Sequence, residues 1–158
     1  LGGFAKGYAV DNGASILARH GIRHAVVGAG GDSRMLGDRC GRPWTVGIRD
    51  PRDEGEVVAL LPLEDVAVST SGDYERYFDE DGVRYHPIIN PKTGDSARGV
   101  RSVTVIGPGA TMTDGLDNAV FILGPEKGLA LIDATPGYAA VVIDAERNVR
   151  FSKALQSR

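Results

Sequence analysis

The sequence predicts a mixed α/β fold of the α+β class, with a largely antiparallel sheet and flanking helices. Helical spacing of apolar residues opens the chain and returns from residue 113, whereas short β-branched runs separated by turn residues fill the stretch between. The chain has 158 residues, of which 42% are hydrophobic, as is typical of one domain with a buried core. We therefore expect residues 1–158 to form a single domain.

The first predicted element is a helix, and strands follow it. Apolar or small residues recur at helical spacing after Gly2 and Gly3, and Gly21 provides a signal for the C-terminal end of the helix. The strands are predicted at residues 24–27, 44–48, 57–61, 66–69, 84–89 and 100–106. Glycine, proline, asparagine and aspartate separate these strands and predict turns between them.

Two further helices and a hairpin are predicted in the last third of the chain. The spacing of the apolar residues favours a helix over residues 113–123. Pro125 suits the first position of a second helix, which reaches about residue 133. Residues 139–143 and 149–151 are predicted to form a closing hairpin around a polar turn.

Composition argues against several classes of protein. The formal charge of −3 is spread along the chain, so the sequence lacks the cluster of basic residues that is typical of nucleic-acid binding. Cys40 is the only cysteine, which excludes an intrachain disulfide and a zinc site built on paired cysteines. No apolar run approaches the roughly 20 residues that a membrane-spanning helix needs.

A glycine-rich segment, residues 28–31, follows the first predicted strand and has two interpretations. It suggests a dinucleotide site, but its spacing is not G-x-G-x-x-G and a strand-like segment comes next instead of a helix. The pattern therefore favours a tight turn, with Asp32 as a turn residue.

The segment 111–118 is the richest cluster of side-chain oxygens in the sequence. Asp114, Asp117 and Asn118 have the spacing i, i+3 and i+4, which places them on one face of a helix. Such oxygens suit Mg²⁺, which keeps waters and substrate phosphates as its other ligands. The segment from Thr111 to Asp114 also matches a capping box that needs no metal. The local pattern leaves both interpretations open.

Three other positions have weak local signals. Residues 69–73 offer hydroxyls and a flexible backbone, which suit either a phosphate-binding loop or an exposed turn. His86 lies on a predicted strand, where a lone histidine is more often structural than catalytic. Lys6 near a helix start is ordinary for a surface, but it would be a natural counter-charge for a diphosphate.

Taken together and in order, these segments resemble the ApbE family of FAD:protein FMN transferases over essentially the whole chain. The matching segments are 1–11 (LGGFAKGYAVD), 29–32 (AGGD), 44–51 (WTVGIRDP), 68–76 (VSTSGDYER), 88–94 (IINPKTG) and 113–119 (TDGLDNA). The resemblance implies that this chain is the C-terminal part of a longer flavin transferase. It also implies a metal site formed by the main-chain carbonyl of Gly3 with Asp114, Asp117 and Asn118.

The same resemblance implies how the substrate is bound. Lys6 would contact the FAD, Ile88 would line the flavin-nucleotide pocket, and the segment with Ser69, Ser71 and Gly72 would border the site. The family commonly has a histidine directly before Ile-Ile, where this chain has Pro87, so His86 is the available candidate for helping to deprotonate the acceptor. On a strand, however, neighbouring positions point to opposite faces.

The implied reaction transfers the FMN part of FAD to a Thr or Ser hydroxyl of an acceptor protein and releases AMP, with Mg²⁺ as the metal. Two alternatives stay open, a FAD pyrophosphatase that gives FMN and AMP, and a module that binds FAD without turnover. The resemblance further implies an exported location on the periplasmic or cell-envelope side of the membrane. Any membrane anchor, as in a lipoprotein, would belong to an N-terminal segment outside this sequence.

Overall fold

The computed structural model describes residues 2–156 as four helices and ten strands. The helices are α1 (Gly2–Arg19), α2 (Ala110–Leu123), α3 (Pro125–Asp133) and α4 (Lys153–Gln156). The strands are β1 (Ala25–Ala29), β2 (Asp32–Leu36), β3 (Trp44–Asp50), β4 (Asp53–Leu63), β5 (Ala67–Gly72), β6 (Phe78–Glu80), β7 (Val83–Tyr85), β8 (Val100–Gly107), β9 (Ala139–Asp144) and β10 (Val149–Phe151). Leu1, the first residue of the opening motif, lies outside the described residues.

The main sheet has six strands in the order β1-β2-β5-β8-β9-β10, and every pair in it is antiparallel. Helix α2 packs on β5 and β8, with α1 on one side of it and α3 on the other. Val120 and Phe121 of α2 are fully buried in a core cluster that includes Val103 and Val105 of β8. The mixed α/β class and the largely antiparallel sheet are therefore confirmed.

A separate ribbon of β3 and β4 contributes a second core. Trp44 and Leu61 from this ribbon pack against buried Met35, Val68 and Ile106 of the main sheet. The main sheet thus buries residues against the ribbon as well as against the helices, which explains why its strands are so rich in β-branched residues.

Several predicted boundaries are wrong. The strand predicted at 84–89 ends at Tyr85, because β7 pairs only with β6 in a small separate hairpin, and Ile89 forms a single bridge to Ser96. Helix α2 begins at Ala110, three residues before the predicted start. Within residues 2–156, none of the helices combines the length and the apolar character needed to cross a membrane.

The N-terminus of α2 is capped by a residue of α1. Asp11 accepts hydrogen bonds from the backbone N–H groups of Ala110 and Thr111, both at 2.8 Å, and from the Thr111 hydroxyl at 2.6 Å. The capping-box interpretation of Thr111 and Asp114 is wrong, because the cap position is Gly109 and no local side chain caps the helix. Burial alone would raise the pKa of Asp11, but the hydrogen bonds from Thr111 and Ala110 together lower it.

Removing this cap is expected to destabilise the fold. Asp11→Ala leaves two backbone donors without their partner, and the loss of a cap of this kind costs about 1 to 2 kcal/mol. The measurement is chemical denaturation of the wild type, Asp11→Ala and Asp11→Asn. The asparagine variant keeps one acceptor oxygen and should lie between the other two, whereas equal stability of all three proteins would contradict the capping role.

Candidate metal and nucleotide site

Three carboxylates meet beneath the N-terminal half of α1. Asp32, Asp114 and Asp117 each offer an oxygen, and these oxygens all lie within 4.8 Å of one another. The three residues are 2%, 1% and 0% exposed. Three carboxylates so close together and so well buried repel one another unless a proton or a cation is shared among them.

Separate elements bring these residues together. Asp114 and Asp117 lie one turn apart on α2, as the sequence predicts. Asp32 begins β2 directly after Gly30 and Gly31, whose φ angles of 54° and 97° form the tight turn between β1 and β2. The turn interpretation is therefore confirmed for Gly30 and Gly31, whereas Asp32, predicted as a turn residue, is the first residue of β2. The side chain of Asp32, however, belongs to the carboxylate cluster, which no local pattern had indicated.

Ser69 of β5 joins the cluster because it pairs in register with Asp32 across the sheet. Its Oγ lies 2.6 Å from Asp117 Oδ2 and also contacts Asp32 Oδ1 at hydrogen-bond distance. A hydroxyl has one proton, so Ser69 donates to only one of these two carboxylates. The other contact requires a proton on the carboxyl group itself.

The environment places that proton on Asp117. Burial raises the pKa of Asp117 to about 8, and the nearby charges of Asp32 and Asp114 act in the same direction, while hydrogen bonding with Ser69 opposes them. Burial likewise raises the pKa of Asp32, although Ser69 and Lys6 counteract this effect. The metal-free cluster therefore holds a proton near neutral pH.

Few groups neutralise the cluster. Lys6 Nζ lies 3.1 Å from Asp32 Oδ2 and donates to the Gly30 carbonyl at 3.1 Å. The backbone N–H of Gly7 donates to Asp114 Oδ2 at 3.0 Å. Asp114 Oδ1 and Asp117 Oδ1 are buried without a hydrogen-bond partner among the described residues. Unpaired buried carboxylate oxygens destabilise the folded state. Such oxygens are also the ligands that hard divalent cations such as Mg²⁺ bind. The residues present therefore fit a divalent cation.

The other two predicted metal ligands lie next to this cluster. Asn118 Nδ2 donates to the Asp114 carbonyl at 2.8 Å, so its Oδ1 stays available as a ligand. Gly3 lies against Asn118, since a Cβ atom on Gly3 would come within 3.4 Å of Asn118 Nδ2. The structure thus brings Gly3, Asp114, Asp117 and Asn118 into one neighbourhood, and their role as ligands stays a prediction.

The predicted phosphate loop is a strand. Ser69, Ser71 and Gly72 belong to β5, a central strand whose backbone pairs with β8, so the loop interpretation of this segment is wrong. Backbone N–H groups already engaged in sheet pairing are not free to cradle a phosphate. Contact of these residues with FAD stays a prediction that depends on their side chains.

His86 and Ile88 follow the β6–β7 hairpin in irregular chain. His86 is 6% exposed, with Nε2 at 2.9 Å from the Ala97 carbonyl and its ring edge-on to Phe121 at a centroid distance of 5.5 Å. Because His86 lies outside the strand, strand alternation does not decide its direction. Ile88 packs beside the main core and its carbonyl accepts a bond from Ala97 N–H at 2.9 Å. The roles predicted for both residues stay predictions.

The sequence profile of the ApbE family matches residues 1–142, a span that includes the carboxylate cluster and all the predicted site residues. The chain belongs to the ApbE family. The FAD:protein FMN transferase of Treponema pallidum is 41% identical over 100% of this chain and 47% of its own length. The FAD:protein FMN transferase of Rhodobacter capsulatus is 44% identical over 90% of this chain and 27% of its own length.

Solved ApbE structures have the same fold. The crystal structure of the ApbE protein from Thermotoga maritima matches with a TM-score of 0.91 at 41% identity, covering 99% of this chain and 52% of that one. The flavin transferase ApbE from Vibrio cholerae matches with a TM-score of 0.83 at 34% identity, covering 97% of this chain and 50% of that one. This chain therefore spans from about a quarter to about half of the length of these ApbE relatives and structures.

Proposed function

We propose that this protein acts as a Mg²⁺-dependent FAD:protein FMN transferase, which moves FMN from FAD to a Thr or Ser hydroxyl of an acceptor protein. The observation that carries the proposal is the cluster of three buried carboxylates with unpaired oxygens, beside Lys6. The names of the ApbE relatives support the same reaction.

The metal ligands in this proposal are Asp114, Asp117, Asn118 and the Gly3 carbonyl, with Asp32 at the edge of the site. A bound Mg²⁺ would neutralise the charge that builds on the phosphate oxygens during the transfer. Lys6 supplies a second positive charge. Its side chain is 41% exposed, so its ammonium group can contact a diphosphate while it stays paired with Asp32. The hydroxyl of Ser69 contacts both Asp32 and Asp117, and so it fixes the position of one carboxylate relative to the other.

The proposed transfer exchanges the phosphoanhydride bond of FAD for a phosphate ester bond to the acceptor. The acceptor oxygen bonds to the FMN-side phosphorus, the bond from that phosphorus to the bridging oxygen breaks, and AMP leaves with the bridging oxygen. The proton of the acceptor hydroxyl passes to solvent or to the phosphate of the departing AMP. We further propose that the reaction occurs on the exported side of the membrane, where an acceptor protein presents its Thr or Ser.

The proposal is tested by incubating the protein with FAD, Mg²⁺ and a folded acceptor domain that carries one reactive Thr, followed by mass spectrometry. We expect the acceptor to gain the mass of FMN minus water and AMP to appear in equal amount. Asp114→Asn should abolish the labelling, because it removes a charge from the metal site while it keeps the shape of the side chain.

The matched control is Asp65→Asn, which changes an exposed aspartate with a φ of 47° that asparagine also tolerates. This variant should label the acceptor as the wild type does. FMN and AMP without labelling would overturn the transfer in favour of a pyrophosphatase. If FAD binds to the protein but stays intact, catalysis is ruled out and the protein is a module that only binds FAD.

A further inference from the structure

Two loops at one end of the main sheet form a basic face, defined by residues 19–24 and 37–42. The first segment covers the end of α1 and its connection to β1, and the second follows β2, the antiparallel partner of β1. The two segments contain four arginines and a single acid, Asp38. A Cβ atom on Gly37 would come within 2.5 Å of the Arg23 carbonyl oxygen, so the backbones of the two loops lie in contact.

The arginines of the basic face are free, unlike most others in the protein. Arg19, Arg23, Arg39 and Arg42 have no side-chain hydrogen bond or ion pair to a partner among the described residues. Of the nine other arginines within residues 2–156, eight pair with a carboxylate. Free guanidinium groups are therefore concentrated at this one surface.

Neighbouring acids do not cancel this charge. Asp38 Oδ1 lies 2.7 Å from His24 Nδ1, so this carboxylate already has a partner. The turn between β4 and β5, whose backbone bonds to the basic face, contributes Glu64 and Asp65, and Asp65 pairs with Arg34 at 3.1 Å. The four free arginines outnumber the remaining acids, so this surface is positive although the whole chain has a formal charge of −3. Such an asymmetry orients a protein towards an anionic surface.

An exposed apolar side chain lies within the basic face. Ile22 is 41% exposed, and it directly precedes Arg23 in a segment whose residues are all exposed. Arg19 has an internal role in the last turn of α1, where a cation interacts favourably with the helix dipole, but the other three arginines have no such explanation. Basic side chains around an exposed apolar one are typical of segments that lie at the surface of an anionic membrane.

The basic face and the carboxylate cluster lie at opposite ends of the same elements. Lys6 and Arg19 are separated by about 20 Å along α1, at 1.5 Å per residue. Strand β2 likewise begins with Asp32 at the cluster and ends at Leu36, next to the basic face. A partner bound to the basic face therefore leaves the cluster open.

We propose that the basic face docks this protein on a bilayer that contains anionic phospholipids, with the four arginines on lipid phosphates and Ile22 in the headgroup layer. A bilayer is a broad anionic surface that can meet both loops at once, and it accepts Ile22 without a matching pocket. An acidic protein would need such a pocket. Docked in this way, the carboxylate cluster lies about 20 Å from the lipid and faces the solvent. The inference does not depend on the reaction proposed above.

The test is sedimentation of the protein with vesicles of phosphatidylcholine, with and without phosphatidylglycerol. We expect binding only to vesicles that contain phosphatidylglycerol, and weaker binding as salt shortens the Debye length from about 30 Å at 0.01 M to about 8 Å at 0.15 M. Each arginine removed should lower the partition coefficient roughly fivefold, so Arg23→Gln combined with Arg39→Gln should lower it roughly 25-fold. Ile22→Ala should lower it roughly threefold or more.

The matched control is Arg49→Gln combined with Arg147→Gln, which changes the net charge equally at side chains that are 61% and 59% exposed and lie outside the basic face. This variant should bind vesicles as the wild type does, and circular dichroism checks the folding of both double variants. Cys40, the only cysteine and an exposed one, provides a second readout. An environment-sensitive fluorophore attached to it should shift its emission to shorter wavelength on anionic vesicles.

Equal binding to vesicles with and without phosphatidylglycerol would overturn the proposal, and so would equal losses in the two double variants. Sedimentation without a shift in the fluorophore emission would show that another surface meets the lipid. Binding to polyglutamate or to an oligonucleotide, without binding to vesicles, would overturn the lipid assignment and give the basic face to an acidic macromolecule.

Discussion

Asp117→Asn is expected to make the metal-free protein more stable at pH 8 and to remove most of its stabilisation by Mg²⁺. Asp117 is fully buried beside two other carboxylates, and asparagine keeps its shape without a charge. In the wild type, a cation bound to the folded state alone raises stability by mass action. The variant lacks one charged metal ligand, so Mg²⁺ should raise its stability much less than that of the wild type.

The expected pH dependence follows from the raised pKa of Asp117, about 8 against an ordinary value of 3.8. Between these values the folded protein keeps the proton and the unfolded chain does not, so stability falls as the pH rises from about 4 to 8. A difference of this size corresponds to roughly 6 kcal/mol, or a fall in Tm on the order of 10 to 20 °C. The raised pKa of Asp32 acts in the same direction.

The measurement is thermal unfolding at pH 5 and pH 8, with and without Mg²⁺. The wild type without metal should melt lower at pH 8, and Mg²⁺ should reverse that loss because it replaces the proton in the cluster. Asp117→Asn should show a flatter pH profile, whereas the control Asp65→Asn should follow the wild type. A wild-type Tm that rises between pH 5 and pH 8 without metal would contradict the assignment.

The sequence predicted α1, α2, α3 and most strands because their residues repeat a burial period, whereas the short helix α4 was not predicted. Helix α3 begins at Pro125, as predicted, and the hairpin of β9 and β10 lies where the alternation placed it. The strand predicted at 84–89 extends too far, because the apolar residues Ile88 and Ile89 continue the pattern without a partner strand. Pairing partners are a property of the tertiary structure that local periodicity does not contain.

The part of the site that lies on a single helix could be predicted from the sequence. Asp114 and Asp117 share a helical face, so their spacing alone brings them together. Asp32 and Ser69 come from two strands that are far apart in sequence and meet only through the register of β2 with β5. An aspartate after a glycine turn has many ordinary explanations, so local sequence could not identify Asp32 as part of the cluster.

The close approach of α1 to α2, which holds the site together, predicts that Gly7→Ala is strongly destabilising. A Cβ atom at this position would lie 2.3 Å from the Ala110 carbonyl oxygen and 2.8 Å from Thr111 Cα. The obstructing atoms are backbone, so no side chain can rotate to make room, and the helices must separate. The change would disturb both the Gly7 N–H bond to Asp114 and the capping of α2 by Asp11.

We expect Gly7→Ala to lose about 3 kcal/mol or more, from overpacking together with the weakened cap, despite a gain of about 1 kcal/mol in helix propensity. The matched control is Gly2→Ala in the same helix, where an added Cβ meets no atom within 4 Å. Chemical denaturation should give this control a stability equal to or slightly above that of the wild type. If Gly7→Ala is as stable as Gly2→Ala, α1 does not pack against α2 at backbone distance, and Asp114 is held in place by something other than this helix.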